Sequence, residues 1–134
     1  MSWAAVRDGL RDRLRTIDGL SAFDTMPPAL PDRDSAVVLP GEPLLEPFAH
    51  RDTWALLVRV AVRCQRATVR DAQDALDEYV WPVGRRSIVA AVQADPTLGG
   101  VADDTAFLRV DGYGAIEGQS GTVQAEVWFR VVCR

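Results

Sequence analysis

The chain has 134 residues, 48% of them hydrophobic, enough for one globular domain that buries roughly two thirds of its unfolded surface. The formal net charge is −4 and all 15 basic residues are arginine, scattered along the chain; a nucleic-acid-coating surface, which needs a clustered basic face, is not expected. No apolar run approaches the ~20 residues of a membrane span, and Ser2–Ala5 followed by Arg7 and Asp8 is not the pattern of a signal peptide, so the expected compartment is the cytoplasm.

The first predicted element is a helix over 2–17. Trp3, Val6, Leu10, Leu14 and Ile17 recur at spacings of three and four, which makes one apolar stripe, and Arg7, Asp8, Arg11, Asp12, Arg13 and Arg15 form the wet face. Ser2 is placed to cap it, and Asp18–Gly19 to stop it. A short strand is expected over 20–25. The segment 26–51 then holds six of the eight prolines, at 27, 28, 31, 40, 43 and 47. Because proline lacks the ladder donor, this reads as an extended arm with at most one edge strand, Ala36–Leu39. The arm either folds on its own surface or serves a contact between subunits.

Thr53–Cys64 is the strongest strand signal. Trp54, Leu56, Val58, Val60, Val62 and Cys64 alternate toward a core, while Ala55, Leu57, Arg59, Ala61 and Arg63 point away. Thr68 caps a helix to Val80 with Val69, Ala72, Leu76, Tyr79 and Val80 on its apolar side and Asp71, Asp74, Asp77 and Glu78 on the other. Trp81–Pro82 ends it; a shorter helix over Ser87–Ala94 follows, closed by Asp95–Pro96 and a turn at 97–100. A strand over Thr105–Val110 is expected with Ala106, Leu108 and Val110 inward and Thr105, Phe107 and Arg109 outward. A glycine-rich hairpin tip over 111–121 leads to a last strand, Thr122–Cys133, with Val123, Ala125, Val127, Phe129, Val131 and Cys133 on the core face. The fold class is therefore α+β: a mainly antiparallel sheet of four to five strands with the N-terminal helix and two more packed on one face.

Catalytic chemistry finds little support in the residues. Gly112–Tyr113–Gly114 with Gly118 leads into a strand and not into a helix N-terminus, so it lacks the setting of a phosphate loop. His50 is the single histidine and lies in the proline-rich arm, which leaves Ser87 and Ser120 without a base nearby in sequence. Cys64 and Cys133 sit on core-facing positions as free thiols, with no Cys-x-x-Cys pair to hold a metal, and the acidic face of the second helix lacks calcium-loop spacing. No catalytic residue, metal or cofactor is expected.

The more informative signal is the sheet face turned away from the core. Pairing the organising strand with the last one so that Leu57 faces Trp128 brings Arg59 opposite Glu126, Ala61 opposite Gln124 and Ala55 opposite Arg130. Leu57, Phe107 and Trp128 then need a cover, either the proline-rich arm or a neighbouring subunit. Tyr113 and Ile116, at the hairpin tip, either reach toward a partner or pack on their own sheet.

Ser87–Asp104, SIVAAVQADPTLGGVADD, with the preceding RDAQDALDEYVWPVGRRS, resembles the tail terminator (tail completion) proteins of long-tailed bacteriophages, particularly those of actinobacterial hosts. The resemblance covers most of the chain in order, from the N-terminal helix through the proline-rich segment and long strand to the closing hairpin. It implies a virion protein, assembled in the host cytoplasm, that forms a homo-oligomeric ring, typically a hexamer. Such a ring caps the tail tube, stops its polymerisation and meets the head connector, with a lumen that DNA can pass. The expected partners are other copies of the chain, the tube protein and a neck protein. A ring needs two unlike complementary patches on each subunit. Leu57, Arg59, Phe107, Trp128, Arg130, Tyr113 and Ile116 are the interface candidates. The alternatives are another neck or connector component of the same virion, or a small enzyme whose site is assembled from residues distant in sequence.

Overall fold

The computed structural model describes residues 2–29, 34–49 and 52–133. In chain order the elements are α1 (Trp3–Leu14), β1 (Ser21–Phe23), β2 (Ser35–Pro47), β3 (Trp54–Gln65), α2 (Val69–Val80), α3 (Ile88–Gln93), β4 (Asp104–Ala115) and β5 (Thr122–Cys133). The strands form one sheet in the order β1-β2-β3-β5-β4, with β1 parallel to β2 and every other pairing antiparallel. The α+β expectation holds, with the parallel β1 making the sheet mixed.

β3 and β5 are the spine. They pair from Trp54↔Cys133 to Gln65↔Thr122 without a register break. The period-two pattern is why: Leu56, Val58, Val60, Val62 and Cys64 face Val131, Phe129, Val127, Ala125 and Val123 on one side of the sheet, and all ten are buried. Trp54 shares their side but stands at the strand end and is exposed. The antiparallel pairing was expected; its register is displaced by two residues. Arg59 lies opposite Trp128, Ala61 opposite Glu126 and Leu57 opposite Arg130.

The proline-rich segment folds differently from the expected arm. Its strand is not confined to 36–39 but runs thirteen residues, pairing with β3 from Ser35↔Arg63 to Pro40↔Val58 and again from Leu45↔Leu56 to Pro47↔Trp54. Residues 41–44 are shed between the two stretches. The prolines are compatible with a strand because β1 pairs only with Ser35–Val37, so Pro40, Pro43 and Pro47 lie where the other side of β2 has no partner. His50 falls outside the described residues.

The three helices cover one face. α1 lies against β1, β2 and α3; α2 lies across β3 and β5; α3 meets β4. Val6, Leu10, Leu14 and Ile17, then Ala72, Leu76 and Tyr79, then Ile88, Val89 and Val92 join the sheet residues in one core. Of the predicted apolar side of α2, Val69 is exposed and Val80 only partly buried. α1 ends three residues earlier than predicted, and Ile17 enters the core from the turn that follows. Ser2, Thr68 and Ser87 each cap a helix by accepting from the N–H three residues on. Ser87 also donates to the Trp81 carbonyl, tying the α2–α3 loop to the start of α3. Ser87→Ala removes both bonds at a buried position and should cost about 1–2 kcal/mol, read as a lower urea midpoint at unchanged slope.

The Asp95–Gly100 turn after α3 docks on α1. The Asp95 carboxylate accepts from the Thr97 hydroxyl at 2.9 Å and the Gly99 N–H at 2.9 Å, and Leu98 is turned inward and buried. Contact with α1 is close because residue 9 is glycine: a β-carbon there would come within 2.9 Å of Leu98 Cβ.

β4 is longer than predicted and twice irregular. Its register against β5 shifts between Phe107 and Arg109 and again between Asp111 and Gly114. The first shift leaves Leu108 without a cross-strand partner, so the alternation resets. Phe107 therefore faces the core, opposite Phe129 and edge-on to it at 6.2 Å, and not outward as its parity suggested. Ala106, expected inward, pairs with Arg130 on the other face, and Thr105, expected outward, pairs with Val131 on the core side and is buried, while Val110 points inward as predicted. The hairpin tip shrinks to residues 116–121.

Candidate assembly surface

The face of the sheet opposite the helices is built by the alternate residues of five strands. β3 contributes Ala55, Leu57, Arg59, Ala61 and Arg63; β5 contributes Gln124, Glu126, Trp128, Arg130 and Val132. β2 adds Ser35, Val37 and Leu39, paired with Arg63, Ala61 and Arg59. Among the described residues no helix lies on this face, yet Ala55 and Val37 are buried and Trp128 is only 8% exposed.

Arginines substitute for a covering layer. The Arg109 guanidinium lies 4.3 Å from the centroid of the Trp128 ring and is steadied by Asp111 at 2.7 Å. Arg59 donates to Glu126 at 2.6 Å and to the Pro40 carbonyl at 3.0 Å, bridging β5 to β2. The Arg59–Glu126 pairing was anticipated, but the two residues meet diagonally and not as direct cross-strand neighbours. Arg130 lies 5.2 Å from the Phe48 ring, just past the end of β2. The proline-rich segment also covers part of the face itself. A β-carbon on Gly41 would sit 2.7 Å from the Leu57 carbonyl oxygen, so this stretch rests directly on Leu57.

What remains open is a groove of about 350 Å³ walled by Met26, Val37, Leu39, Arg59, Ala61 and Glu126. Elsewhere on this face two side-chain nitrogens, Trp128 Nε1 and Arg130 Nε, are buried with no acceptor among the described residues. Buried donors without acceptors are costly and therefore uncommon. Leu57, Arg59, Trp128 and Arg130 are thus gathered on one surface. Phe107 is removed to the core, and the other two candidates lie elsewhere. The Tyr113 hydroxyl donates to Asp77 Oδ1 at 2.6 Å, tethering β4 to α2; that bond, with some burial, pushes its pKa up to about 12. Ile116 is half-buried at the tip, its N–H donating to the Thr122 carbonyl at 3.0 Å.

A second cluster went unseen in the sequence. Asp34, 5% exposed, accepts from Arg66 at 2.7 and 3.0 Å and from the Tyr79 hydroxyl at 2.6 Å. Burial alone would raise the Asp34 carboxyl, but the bonds from Arg66 and Tyr79 outweigh it and hold it below 3.8. Beside it the Cys64 thiol is pushed up to about 12, by burial first and then by the Asp34 charge. A thiol held protonated is a poor nucleophile, and a carboxylate committed to two donors is a poor base. The cluster is a clasp between the start of β2, the end of β3 and α2. The signal for it was the antiparallel pairing of β2 with β3, which brings the residue before one strand near the residues after the other. The prolines concealed that pairing.

Among the described residues no helix is long and apolar enough to cross a membrane, and no three His, Cys, Asp or Glu side chains converge as a metal set. No protein-family model matches the chain, and comparison with curated proteins finds no match.

Proposed function

We propose that the chain is a structural ring subunit of the tail terminator type, which caps a phage tail tube, stops its growth and joins it to the neck. The observation that supports an assembly role is the helix-free sheet face. Leu39, Leu57 and Ala61 are part-exposed on it, and a groove of about 350 Å³ walled by Val37, Leu39, Arg59, Ala61 and Glu126 runs along it. Another copy of the chain laid on this face would cover the groove. The resemblance of Arg70–Asp104 to tail terminator proteins supplies the kind of assembly.

Light scattering and negative-stain imaging of the protein alone and mixed with tail tubes test the reading. Rings, alone or on tube ends, are the expected result. A monomer that ignores tube ends defeats it, and rings that bind a neck component but not the tube move the chain to the connector side of the joint. Ala61→Arg tests the face directly, because it fills the groove from its floor while removing no core atom. Ring formation should weaken by roughly tenfold or more at unchanged thermal stability. Trp128 is a poorer probe, since its near-complete burial under Arg109 would confuse assembly with folding.

A further inference from the structure

Two features at opposite ends of the molecule, one projecting and one recessed, carry exposed apolar surface. One is a knob. The loop 81–86, Trp-Pro-Val-Gly-Arg-Arg, holds the two most exposed large hydrophobic residues among those described, Trp81 at 64% and Val83 at 68%. The loop is a built structure. Ser87 donates to the Trp81 carbonyl and its N–H to the Gly84 carbonyl, while Arg86 pairs with Glu78 at 3.6 Å. Arg85 is exposed and makes no ion pair among the described residues.

The other is a hole. Trp3, Leu44, Leu45, Trp54, Leu56 and Cys133 line an apolar cavity of about 350 Å³ on the helix side of the sheet. Two exposed acidic residues stand near it in the chain, Glu42 two residues before Leu44 and Asp52 two residues before Trp54, whereas Glu46, paired with Ala55, lies on the other face of the sheet. Arg7, the basic side chain beside Trp3, is taken up over that ring at 5.6 Å.

The two cannot meet in one subunit. Trp54 pairs with Pro47 and Cys133 at one end of the sheet. Tyr79, two residues before Trp81, bonds to Asp34 beside the Ser35↔Arg63 pairing at the other. Nine residues of β3 separate Trp54 from Arg63, roughly 30 Å of strand. We propose that the 81–86 loop of one copy docks into the Trp3–Leu44–Trp54 cavity of the next, with Arg85 meeting Glu42 and Asp52. Tryptophan and arginine are the side chains that most often dominate such contacts. An indole buries 150–250 Å² in a site of this kind, and the unlike charges set its orientation. The contact is head-to-tail, which closes into a ring when the rotation per copy permits. It rests on the ring reading and supplies the two unlike patches which that reading requires, while the sheet face adds area.

The test uses one variant per patch, both at exposed positions: Trp81→Glu disables the knob and Leu45→Arg the hole. Wild-type protein should reach ring mass, alone or on tail tubes. Each variant by itself should associate at least roughly thirtyfold more weakly. An equal mixture should then form one-to-one pairs and stop, because only one competent knob and one competent hole remain per pair. Variants that still form wild-type rings overturn the knob-and-hole contact and leave the ring reading standing. So does loss of rings in both variants with no pairing in the mixture. Wild-type protein that stays monomeric under every condition overturns both.

Discussion

Replacing Gly121 by alanine is expected to destabilise the protein by about 3–5 kcal/mol, a large share of the 5–15 kcal/mol typical of a domain. Gly121 has φ +70°, where a side chain costs about 1–2 kcal/mol. Its added β-carbon would also stand 2.0 Å from the Arg66 carbonyl oxygen. That neighbour is backbone, so relief requires the turn before β5 to separate from the segment after β3. The separation breaks the Arg66 N–H bond to the Gly121 carbonyl, 2.9 Å in the native protein. Gly118→Ala is the control: φ is +78° there too, but nothing lies within 4 Å of the new atom, so only the conformational cost of about 1 kcal/mol applies. Urea unfolding of the two variants separates crowding from backbone conformation. Equal midpoints would refute the close approach of Arg66.

Asp34→Ala carries the second large effect, about 2–3 kcal/mol. It leaves the buried Tyr79 hydroxyl without its acceptor; Arg66, a third exposed, turns to water and limits the loss. Tyr79→Phe should cost less, since the ion pair survives it. The pH dependence follows from the same groups. The Asp34 pKa is lower in the native than in the unfolded chain, so the unfolded chain binds its proton first on acidification. Its stabilisation is present above 3.8 and is lost as pH falls through the native value, and the Ala variant should lack that acid limb. Cys64 has the opposite sign. Its native pKa is pushed up from 9.0 to about 12, so above pH 9 the unfolded chain loses a proton that the native chain keeps. Stability should decline between pH 9 and 12, and Cys64→Ala should flatten that decline at its own packing cost. An unchanged alkaline slope in that variant would clear Cys64 of the effect.

Elements with an uninterrupted period were legible from residues alone. β5 was read to its end residues and β3 to within one, because one face of each is unbroken valine, alanine, leucine, phenylalanine and cysteine. The caps Ser2 and Thr68 were legible because each stood before an apolar stripe, while Ser87, read as the first residue of its helix, is its cap. Two physical effects hid the rest. Proline counts against a strand only where a donor is needed, and β2 passes its prolines through a stretch paired on one side alone. A bulge carries no reliable residue signature, so Leu108 reset the alternation of β4 and carried Phe107 into the core. Arg59 and Glu126 attracted each other in the sequence reading as in the structure, but long side chains meet diagonally as easily as directly. That is how a correct pairing acquired a register wrong by two. Of the surface candidates, those on the regular strands, Leu57, Arg59, Trp128 and Arg130, were gathered as expected, and those on β4 and its tip were not.

The prolines of β2 and the irregularities of β4 have one more consequence, at the lateral rims of the sheet. On one side the outermost strand has only three residues, and the β2 stretch beyond it lacks amide hydrogens at positions 40, 43 and 47. On the other, Leu108 and residues 112–113 interrupt the free rim of β4. Neither rim presents a long unbroken row of donors and acceptors, so a foreign strand cannot zip onto it. The proposed ring would therefore have to form through side-chain surfaces, which salt, pH and single substitutions can dissolve. A long open edge, the template on which strands add and fibres grow, is thereby avoided.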